Sequence, residues 1–217
     1  MKIESEEWIE TVKNGCLSFD INVSQNQLLL FQKYCIELIK WNRKTNLTAI
    51  TDPHEVAVKH IIDSLYPNAA INRSGKIIDL GAGGGFPSIP LKILNPEIEF
   101  LMVESSRKKV TFLKHVIRTL KLEKIDAVNM RCEELVELSP HKNSYDIVIS
   151  RAFTEISRFI SLSIPFISKG GKIVAMKGRD IDEEIKNIDN PDIKYSIQKY
   201  ELPYISDKRS QVIISFL

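Results

Sequence analysis

Cysteine is scarce in this sequence, and none of it is arranged as a metal site or a disulfide framework would require. Cys16, Cys35 and Cys132 are scattered, odd in number and without a CxxC pair. Long hydrophobic runs are also absent, since none approaches the roughly 18 residues of a membrane span. The N-terminus lacks the basic-then-apolar pattern of a signal peptide. We therefore expect a reduced, soluble, cytoplasmic protein without a metal site.

A large excess of either charge is absent as well. The 217 residues carry a formal net charge of +2, with 27% charged and 43% apolar residues, as in ordinary globular proteins. This small charge does not indicate a nucleic-acid partner, although a local basic patch would be enough to bind one. The length predicts one domain, or one domain with an accessory segment.

Apolar residues recur at helical spacing in the first third of the chain. Ser5 predicts the cap of a first helix that ends at Gly15, and a capping box at 24–27 begins a second helix. A third helix is predicted over 52–67, where Asp and Pro stand at the start and Pro at the end. Residues 1–72 are therefore predicted to form a helical N-terminal segment.

Strands and helices alternate in the remainder, residues 73–217. The predicted strands are 77–80, 98–104, 125–130, 145–150, 172–177, 193–200 and 210–217, and the predicted helices are 87–94, 106–120 and 154–166. Alternation implies a mostly parallel sheet, and the short link before the last strand implies an antiparallel ending. This α/β layout is that of the Rossmann-like class I methyltransferases, which bind S-adenosylmethionine.

A glycine-rich turn, DLGAGGG, follows the first predicted strand. Its glycines are Gly81, Gly83, Gly84 and Gly85. Dinucleotide-binding loops read G-x-G-x-x-G, and their third glycine lets the helix pack under a pyrophosphate. Phe86 stands at that third position here. The loop therefore favours a cofactor that needs backbone clearance rather than phosphate binding, such as S-adenosylmethionine; a purely structural turn is the alternative.

Two further positions fit a nucleoside cofactor. Glu104 ends the next predicted strand, 23 residues after Gly81, where a carboxylate can accept hydrogen bonds from both ribose hydroxyls. NAD and S-adenosylmethionine both carry such a ribose, so Glu104 does not choose between them, and a solvated acid is the alternative. Cys132 and Glu133 follow the third strand, where an adenine ring would lie.

The sequence lacks the motifs of enzymes that methylate two common kinds of acceptor atom. Exocyclic amines are usually methylated by enzymes with an Asn/Asp-Pro-Pro-aromatic motif after the fourth strand, and residues 150–153 read SRAF instead. Carbon-5 of a pyrimidine needs a cysteine nucleophile, and Cys132 follows the wrong strand. The N7 lone pair of guanine lies in the ring plane without a proton, so its methylation needs positioning more than a general base.

Eight stretches together are more specific than the glycine loop. They are WNRKTNLTAI (41–50), HIIDSL (60–65), DLGAGGGFPSIPL (79–91), VESSRKKVTFL (103–113), RCEEL (131–135), SRAF (150–153), MKG (176–178) and KRSQVII (208–214). In these the chain resembles the bacterial small-subunit ribosomal RNA guanine-N7 methyltransferases, the RsmG (GidB) family. The resemblance implies S-adenosylmethionine as donor and N7 of one guanine near the decoding region of 16S ribosomal RNA as target. It also implies cofactor contacts from Gly81, Phe86, Cys132, Glu133 and Arg151.

Basic residues form two candidate RNA-binding surfaces. The predicted RNA contacts, which flank the expected cofactor site, are Lys40, Arg43, Lys44, Lys177 and Arg209. A second group on the helix over 106–120 falls within about 60° at the helical period, and we interpret it as a solvated face. Its members are Arg107, Lys114, Arg118 and Lys121.

Other interpretations stay open at this point. An NAD-dependent oxidoreductase is disfavoured by Phe86, and a non-catalytic RNA-binding module is disfavoured by the full set of cofactor residues. His60 and Asp63 lie three apart on the predicted polar side of a helix, where a structural hydrogen bond is expected rather than a zinc site. The expected partner is small-subunit ribosomal RNA or its ribonucleoprotein particle, with no membrane and no obligate protein partner.

Overall fold

The computed structural model of the chain describes residues 1–71, 75–151, 154–178, 181–186, 188 and 192–216. The expected boundary between residues 72 and 73 lies outside these ranges, as do the last two residues of the SRAF stretch. The division into a helical segment and a sheet domain therefore stays a prediction.

The first two helices begin at the predicted caps. Helix α1, Glu6–Leu17, starts after Ser5, whose hydroxyl accepts a hydrogen bond from the backbone N–H of the third residue on. Helix α2, Gln25–Thr45, starts with the reciprocal bonds of a capping box at Ser24. Its C-cap is Asn46, whose backbone is left-handed with φ of 50°. Asparagine tolerates this conformation better than most residues and is therefore suited to end a helix.

Helix α3 is one continuous run with a π-helical centre, and it differs most from expectation. Its parts are Pro53–Glu55, the π-helical Val56–Ile62 and Asp63–Leu65, and a 3-10 turn, Tyr66–Ala70, follows. His60 and Asp63, predicted on a polar face, are each only 4% exposed. Of residues 56–65 all but Lys59 are buried, so this part of the helix is covered on nearly every side and has no polar face.

Helix α1 does not end at Gly15 as predicted, because this glycine lies inside the contact between α1 and α3. A Cβ atom at Gly15 would lie 2.2 Å from Cδ1 of Ile62. The glycine therefore permits a close approach of two helices rather than terminating one. The helix continues to Leu17.

The sheet has seven strands in the order β3-β2-β1-β4-β5-β7-β6. The strands are β1 Lys76–Leu80, β2 Glu99–Glu104, β3 Ile125–Asn129, β4 Tyr145–Arg151, β5 Ile167–Lys177, β6 Ile193–Leu202 and β7 Asp207–Phe216. The first five pair in parallel, and β7 pairs antiparallel with both β5 and β6. The predicted fold class is confirmed.

The remaining helices follow the strands. They are α4 Ser88–Leu94, α5 Arg107–Thr119, α6 Cys132–Leu135, α7 Ile156–Ser163 and α8 Asp182–Lys186. The predicted turn over 168–171 lies instead within β5. The pairing of β4 with β5 jumps from Ile167 to Lys172 over two residues of β4, so the extra residues bulge out of the ladder.

Hydrophobic side chains fill both faces of the sheet. On one face, Ile77 and Met102 share a single buried cluster with Trp8 of α1 and Phe31 of α2. On the other face, the alternate residue Ile78 belongs to a second cluster with α7. The N-terminal helices therefore form one layer of the sheet's own core.

We expect the substitution Gly15→Ala to destabilise the protein. Alanine favours a helix over glycine by about 1 kcal/mol, but overpacking a core contact costs about 1–3 kcal/mol. The net loss should be about 1 kcal/mol in denaturant unfolding, because Ile62 is fully buried and has little room to move.

The background Ile62→Val provides the control, because it removes the Cδ1 atom that the new methyl would meet. In that background Gly15→Ala should be neutral or stabilising. An increase in stability of similar size in both backgrounds would contradict the role assigned to the helix contact.

Candidate active site

A cavity of about 400 Å³ opens at the carboxyl ends of β1, β2, β3 and β4. Strand order reverses between β1 and β4, and such a switch point is where open parallel sheets bind ligands. The lining residues are Gly81, Gly83, Val103, Glu104, Ser105, Lys109, Met130, Arg131, Cys132, Glu133 and Arg151. The volume suits a nucleoside-sized ligand.

The glycine loop uses its backbone N–H groups internally. The N–H of Gly83 donates to Oε2 of Glu104 at 3.0 Å. The N–H groups of Gly85 and Phe86 both donate to the carbonyl of Ala82, at 2.8 and 3.2 Å. A phosphate-binding loop would point such groups at the ligand. This loop therefore provides clearance for a cofactor without offering these amides to a phosphate.

Glu104 holds the loop and also faces the cavity. Its second carboxylate oxygen, Oε1, accepts a hydrogen bond from the N–H of Ser106 at 2.8 Å, and the residue is 7% exposed. Each carboxylate oxygen has a further lone pair. Glu104 therefore remains able to accept hydrogen bonds from the two hydroxyls of a ribose.

Cys132 and Glu133 lie together at the far side of the cavity. The Cys132 thiol donates to Oε2 of Glu133 at 3.2 Å. Burial and this acceptor raise the pKa of Cys132 to about 11, so the side chain is a neutral thiol at neutral pH. The Glu133 pKa is lowered, first by its own backbone N–H and then by the Cys132 thiol. The pair presents an acceptor rather than a nucleophile.

Asp79 is a buried acid behind the glycine loop. Its Oδ2 accepts from the Ser88 hydroxyl at 2.7 Å, whereas Oδ1 has no partner among the described residues. Burial raises its pKa to about 7 against the opposing effects of Ser88 and Arg151. On the cavity wall itself, Glu104 and Glu133 lie among the cations Lys109, Arg131 and Arg151, a mixed set that suits a cofactor with hydroxyl, ammonium and carboxylate groups. The residues present therefore fit S-adenosylmethionine.

Arg151 ends β4 and is bound by α3. Its Nη1 donates to the Lys59 carbonyl at 2.7 Å, and Nη2 donates to Nδ1 of His60 at 3.1 Å. Because arginine only donates, His60 accepts at Nδ1 and carries its proton on Nε2, which lies 2.8 Å from the Thr48 hydroxyl. Burial and the Arg151 charge lower the His60 pKa to about 3, so the ring is neutral.

The ring of Phe86 packs against both His60 and Arg151. Its ring stacks on His60 at a centroid distance of 4.3 Å, and the Arg151 guanidinium lies 4.7 Å from the same ring. The residue is only 6% exposed and does not line the cavity. Six of the seven expected cofactor contacts do line it, which leaves Phe86 in a supporting position in this structure.

Sequence reasoning missed several residues of the cavity. Arg131 precedes Cys132 in the RCEEL stretch, and Lys109 lies in the first turn of α5 after β2. Both positions could have been found by following the chain beyond the carboxyl ends of β2 and β3.

The predicted RNA contacts fall into two groups. Lys40, Arg43 and Lys44 are exposed at the end of α2, where Lys40 lies 3.5 Å from Glu37. Lys177 and Arg209 are instead ion-paired and mostly covered, with side chains 11% and 20% exposed. The partner of Lys177 is Glu184 at 2.6 Å, and that of Arg209 is Asp207 at 2.7 Å.

Asp63 makes structural bonds, as expected for it and His60. It accepts from the Tyr200 hydroxyl at 2.8 Å and lies 3.5 Å from Arg151 and 3.9 Å from Arg209. Its pKa is raised by burial against the lowering effect of Arg151. Within the described ranges, no three His, Cys, Asp or Glu side chains group as metal ligands. No helix in those ranges is both long enough and apolar enough for a membrane crossing.

The fold and cavity define a class I methyltransferase. Precorrin-6y C5,15-methyltransferase from Geobacter metallireducens GS-15 superimposes with a TM-score of 0.55 at 12% identity, over 72% of this chain and 88% of that one. The Pyrococcus horikoshii protein TYW2, solved in complex with MeSAdo, gives 0.52 at 18% identity, over 71% and 61%. At such identities the likeness shows the fold alone.

The family is shown by sequence. The family model described as rRNA small subunit methyltransferase G (GidB) matches residues 27–213. Ribosomal RNA small subunit methyltransferase G of Geobacter sp. (strain M21) is 39% identical over 94% of this chain and 96% of its own length. The protein of that name from Caldanaerobacter subterraneus subsp. tengcongensis is 41% identical over 81% and 74%. The chain belongs to this family, which confirms the resemblance.

We expect Glu104→Ala to weaken S-adenosylmethionine binding by about 1–3 kcal/mol, because a charged acceptor is lost. The loss corresponds to a roughly 5- to 150-fold higher Kd in calorimetric titration. The protein should still fold, because Glu104 bonds the backbone of Gly83 and Ser106 but is not part of either hydrophobic cluster.

Glu99→Ala provides a matched control at the other end of β2, where the acid is exposed and 3.5 Å from Lys76. Cofactor affinity should stay unchanged in this variant. A folded Glu104→Ala protein that binds the cofactor as tightly as Glu99→Ala would refute the ribose role.

Proposed function

We propose that this protein transfers the methyl group of S-adenosylmethionine to N7 of a guanine in small-subunit ribosomal RNA. Membership of the rRNA small subunit methyltransferase G family is the observation that carries this function. The expectations of a methyltransferase and of S-adenosylmethionine as its donor are confirmed by that membership.

The chemistry needs little from acid or base groups of the protein. When bound, S-adenosylmethionine supplies a methyl group on a positively charged sulfur, which the in-plane N7 lone pair can attack directly. The protein's task is to align the two reactants and exclude water. The carboxylates of Glu104 and Glu133 on the cavity wall can accept hydrogen bonds from the donor and help to fix its position.

A second cavity, of about 370 Å³, is proposed to receive the target nucleotide. It shares Arg151 with the first cavity, so a ligand in either one meets the same guanidinium. Its other lining residues are Ile50, Lys59, His60, Asp63, Met176, Lys177, Gly178, Tyr200 and Arg209. The basic members suit a phosphate, and the volume suits a nucleotide.

We propose the same basic residues as RNA contacts, but they differ in whether a carboxylate of the protein already pairs with them. Arg43 and Lys44 make no ion pair in the part of the chain that the structure describes, so they are free to meet phosphates. Lys177 and Arg209 would contact RNA by exchanging their carboxylate partners for a phosphate. We further propose that the protein works in the cytoplasm on ribosomal RNA or its particle, without a membrane or an obligate protein partner.

The alternatives have less support. An NAD-dependent oxidoreductase would need a loop that offers its amides to a pyrophosphate, and the amides of Gly83 and Gly85 have internal acceptors. A non-catalytic RNA-binding module would not need to retain a complete cofactor cavity beside a second, basic one.

The test is transfer of labelled methyl from S-adenosylmethionine to small-subunit RNA of cells that lack the protein. We expect label at N7 of a single guanine, located by strand scission selective for N7-methylguanine. RNA from cells that contain the protein is the control and should accept no label, because its site is already methylated.

Labelling of a different atom, or no transfer to either RNA, would overturn the proposed function. Titration with NAD adds an independent check on the cofactor. A Kd for NAD comparable to that for S-adenosylmethionine would contradict the assignment.

A further inference from the structure

Two basic stripes run along neighbouring helices. On α2, Lys33, Lys40 and Lys44 are spaced by seven and four residues, so they fall within about 40° of one another. Arg107, Lys114 and Arg118 repeat the same spacing on α5. All six side chains are exposed. Each stripe is about 16 Å long at 1.5 Å per residue.

The two helices lie antiparallel and in contact. Trp41 of α2 packs against Phe112 of α5 at a ring-centroid distance of 5.7 Å. Glu37, one turn earlier on α2, bonds His115 on α5 at 2.6 Å. When each helix is viewed from its N-terminus, its contact residues lie on the same rotational side of its stripe. For antiparallel helices this places both stripes on the same side of the contact.

The cations of these stripes are mostly free, unlike many others on the surface. Lys33, Lys44, Arg107, Lys114 and Arg118 have no carboxylate oxygen within 4.0 Å in the described ranges, and Lys40 has a single partner at 3.5 Å. Lys177 and Arg209, by contrast, are held by carboxylates at 2.6 and 2.7 Å. Unpaired cations in two parallel rows create a local positive potential that the net charge of +2 hides.

One end of the double stripe lies beside the catalytic cavity. Lys109, two residues after Arg107, lines that cavity. Just beyond the corresponding end of α2, Leu47 approaches the glycine loop, since a Cβ at Gly84 would lie 3.6 Å from its carbonyl oxygen. A polymer bound along the stripes would therefore lead into the active site.

The other end opens into a groove of about 720 Å³. Lys33 and Lys121 line it, and Lys121 holds a left-handed backbone with φ of 53°, which glycine or asparagine adopts more easily. Buried Lys92 forms part of its wall and donates to two carbonyls, of Pro96 and Ile98, rather than to a carboxylate. Glu123 is an acid at this end, and Glu97 is neutralised by Lys124 at 2.7 Å.

We propose that this double stripe on α2 and α5 is a docking track for the RNA phosphate backbone at a distance from the target guanine. The proposal rests on the proposed function. It revises the interpretation of the α5 group as a solvated face and extends the α2 cluster back along the helix to Lys33. Backbone contacts of this kind set affinity and register without reading sequence.

The test compares two variants with the same change in charge. Lys114→Glu with Arg118→Glu reverses two cations of the track. Lys169→Glu with Lys194→Glu reverses two exposed lysines on β5 and β6, toward the opposite edge of the sheet. Affinity for a protein-free small-subunit RNA fragment containing the target guanine is measured against salt concentration, together with S-adenosylmethionine affinity and methyl-transfer kinetics.

We expect the track variant to lose affinity and to flatten the slope of log affinity against log salt by about 1.4–1.8, or 0.7–0.9 for each contact. Its KM for RNA should rise while kcat at saturating RNA and cofactor affinity stay unchanged. The control variant should behave as the unmodified protein does.

Equal slopes of log RNA affinity against log salt in the track variant and the control variant would contradict the proposed docking track. Loss of affinity for the small-subunit particle, without loss for protein-free RNA, would also overturn it and point to a ribosomal protein. Failure of the proposed function looks different, because the unmodified protein would then transfer no methyl to the fragment, whatever its affinity.

Discussion

The Arg151 guanidinium joins parts of the molecule that are distant in sequence. It comes from the end of β4, is bound by the Lys59 carbonyl and His60 of α3, and lies over Phe86 beside the glycine loop. It also lines both cavities. The Asp63 carboxylate lies 3.5 Å from this guanidinium, and burial keeps His60 neutral, so the ring accepts a hydrogen bond from Arg151 without adding a second positive charge. The helical segment is therefore part of the site rather than an appendage.

Local patterns in the sequence were enough for the elements and for the fold class. Capping residues located α1 and α2, and alternating apolar runs located the strands, because both signals depend on neighbours within a few residues. The positions of the glycine loop after β1 and of Glu104 at the end of β2 could be located for the same reason. Gly15 was misjudged because its role is a contact with Ile62, which no local pattern reveals.

What the sequence could not show depends on contacts across the chain. His60 and Asp63 are buried because other elements cover α3 on nearly every side, and the side chains that they bond, Arg151 and Tyr200, lie on β4 and β6. The pairing of Lys177 with Glu184 was equally hidden. The sequence shows how many charged residues there are, but only the fold determines which cations are paired with carboxylates and which are free to bind RNA.

The central claim, that α3 holds Arg151 at the junction of the two cavities, is tested most directly by a double-mutant cycle. His60→Phe keeps a ring against Phe86 but removes the acceptor, and Arg151→Lys keeps the charge but loses the forked geometry. Methyl-transfer kcat/KM is measured for both single variants and the double variant. The account predicts a coupling energy of about 0.5–3 kcal/mol, because the second change finds the interaction already lost. Additive effects on kcat/KM would contradict it.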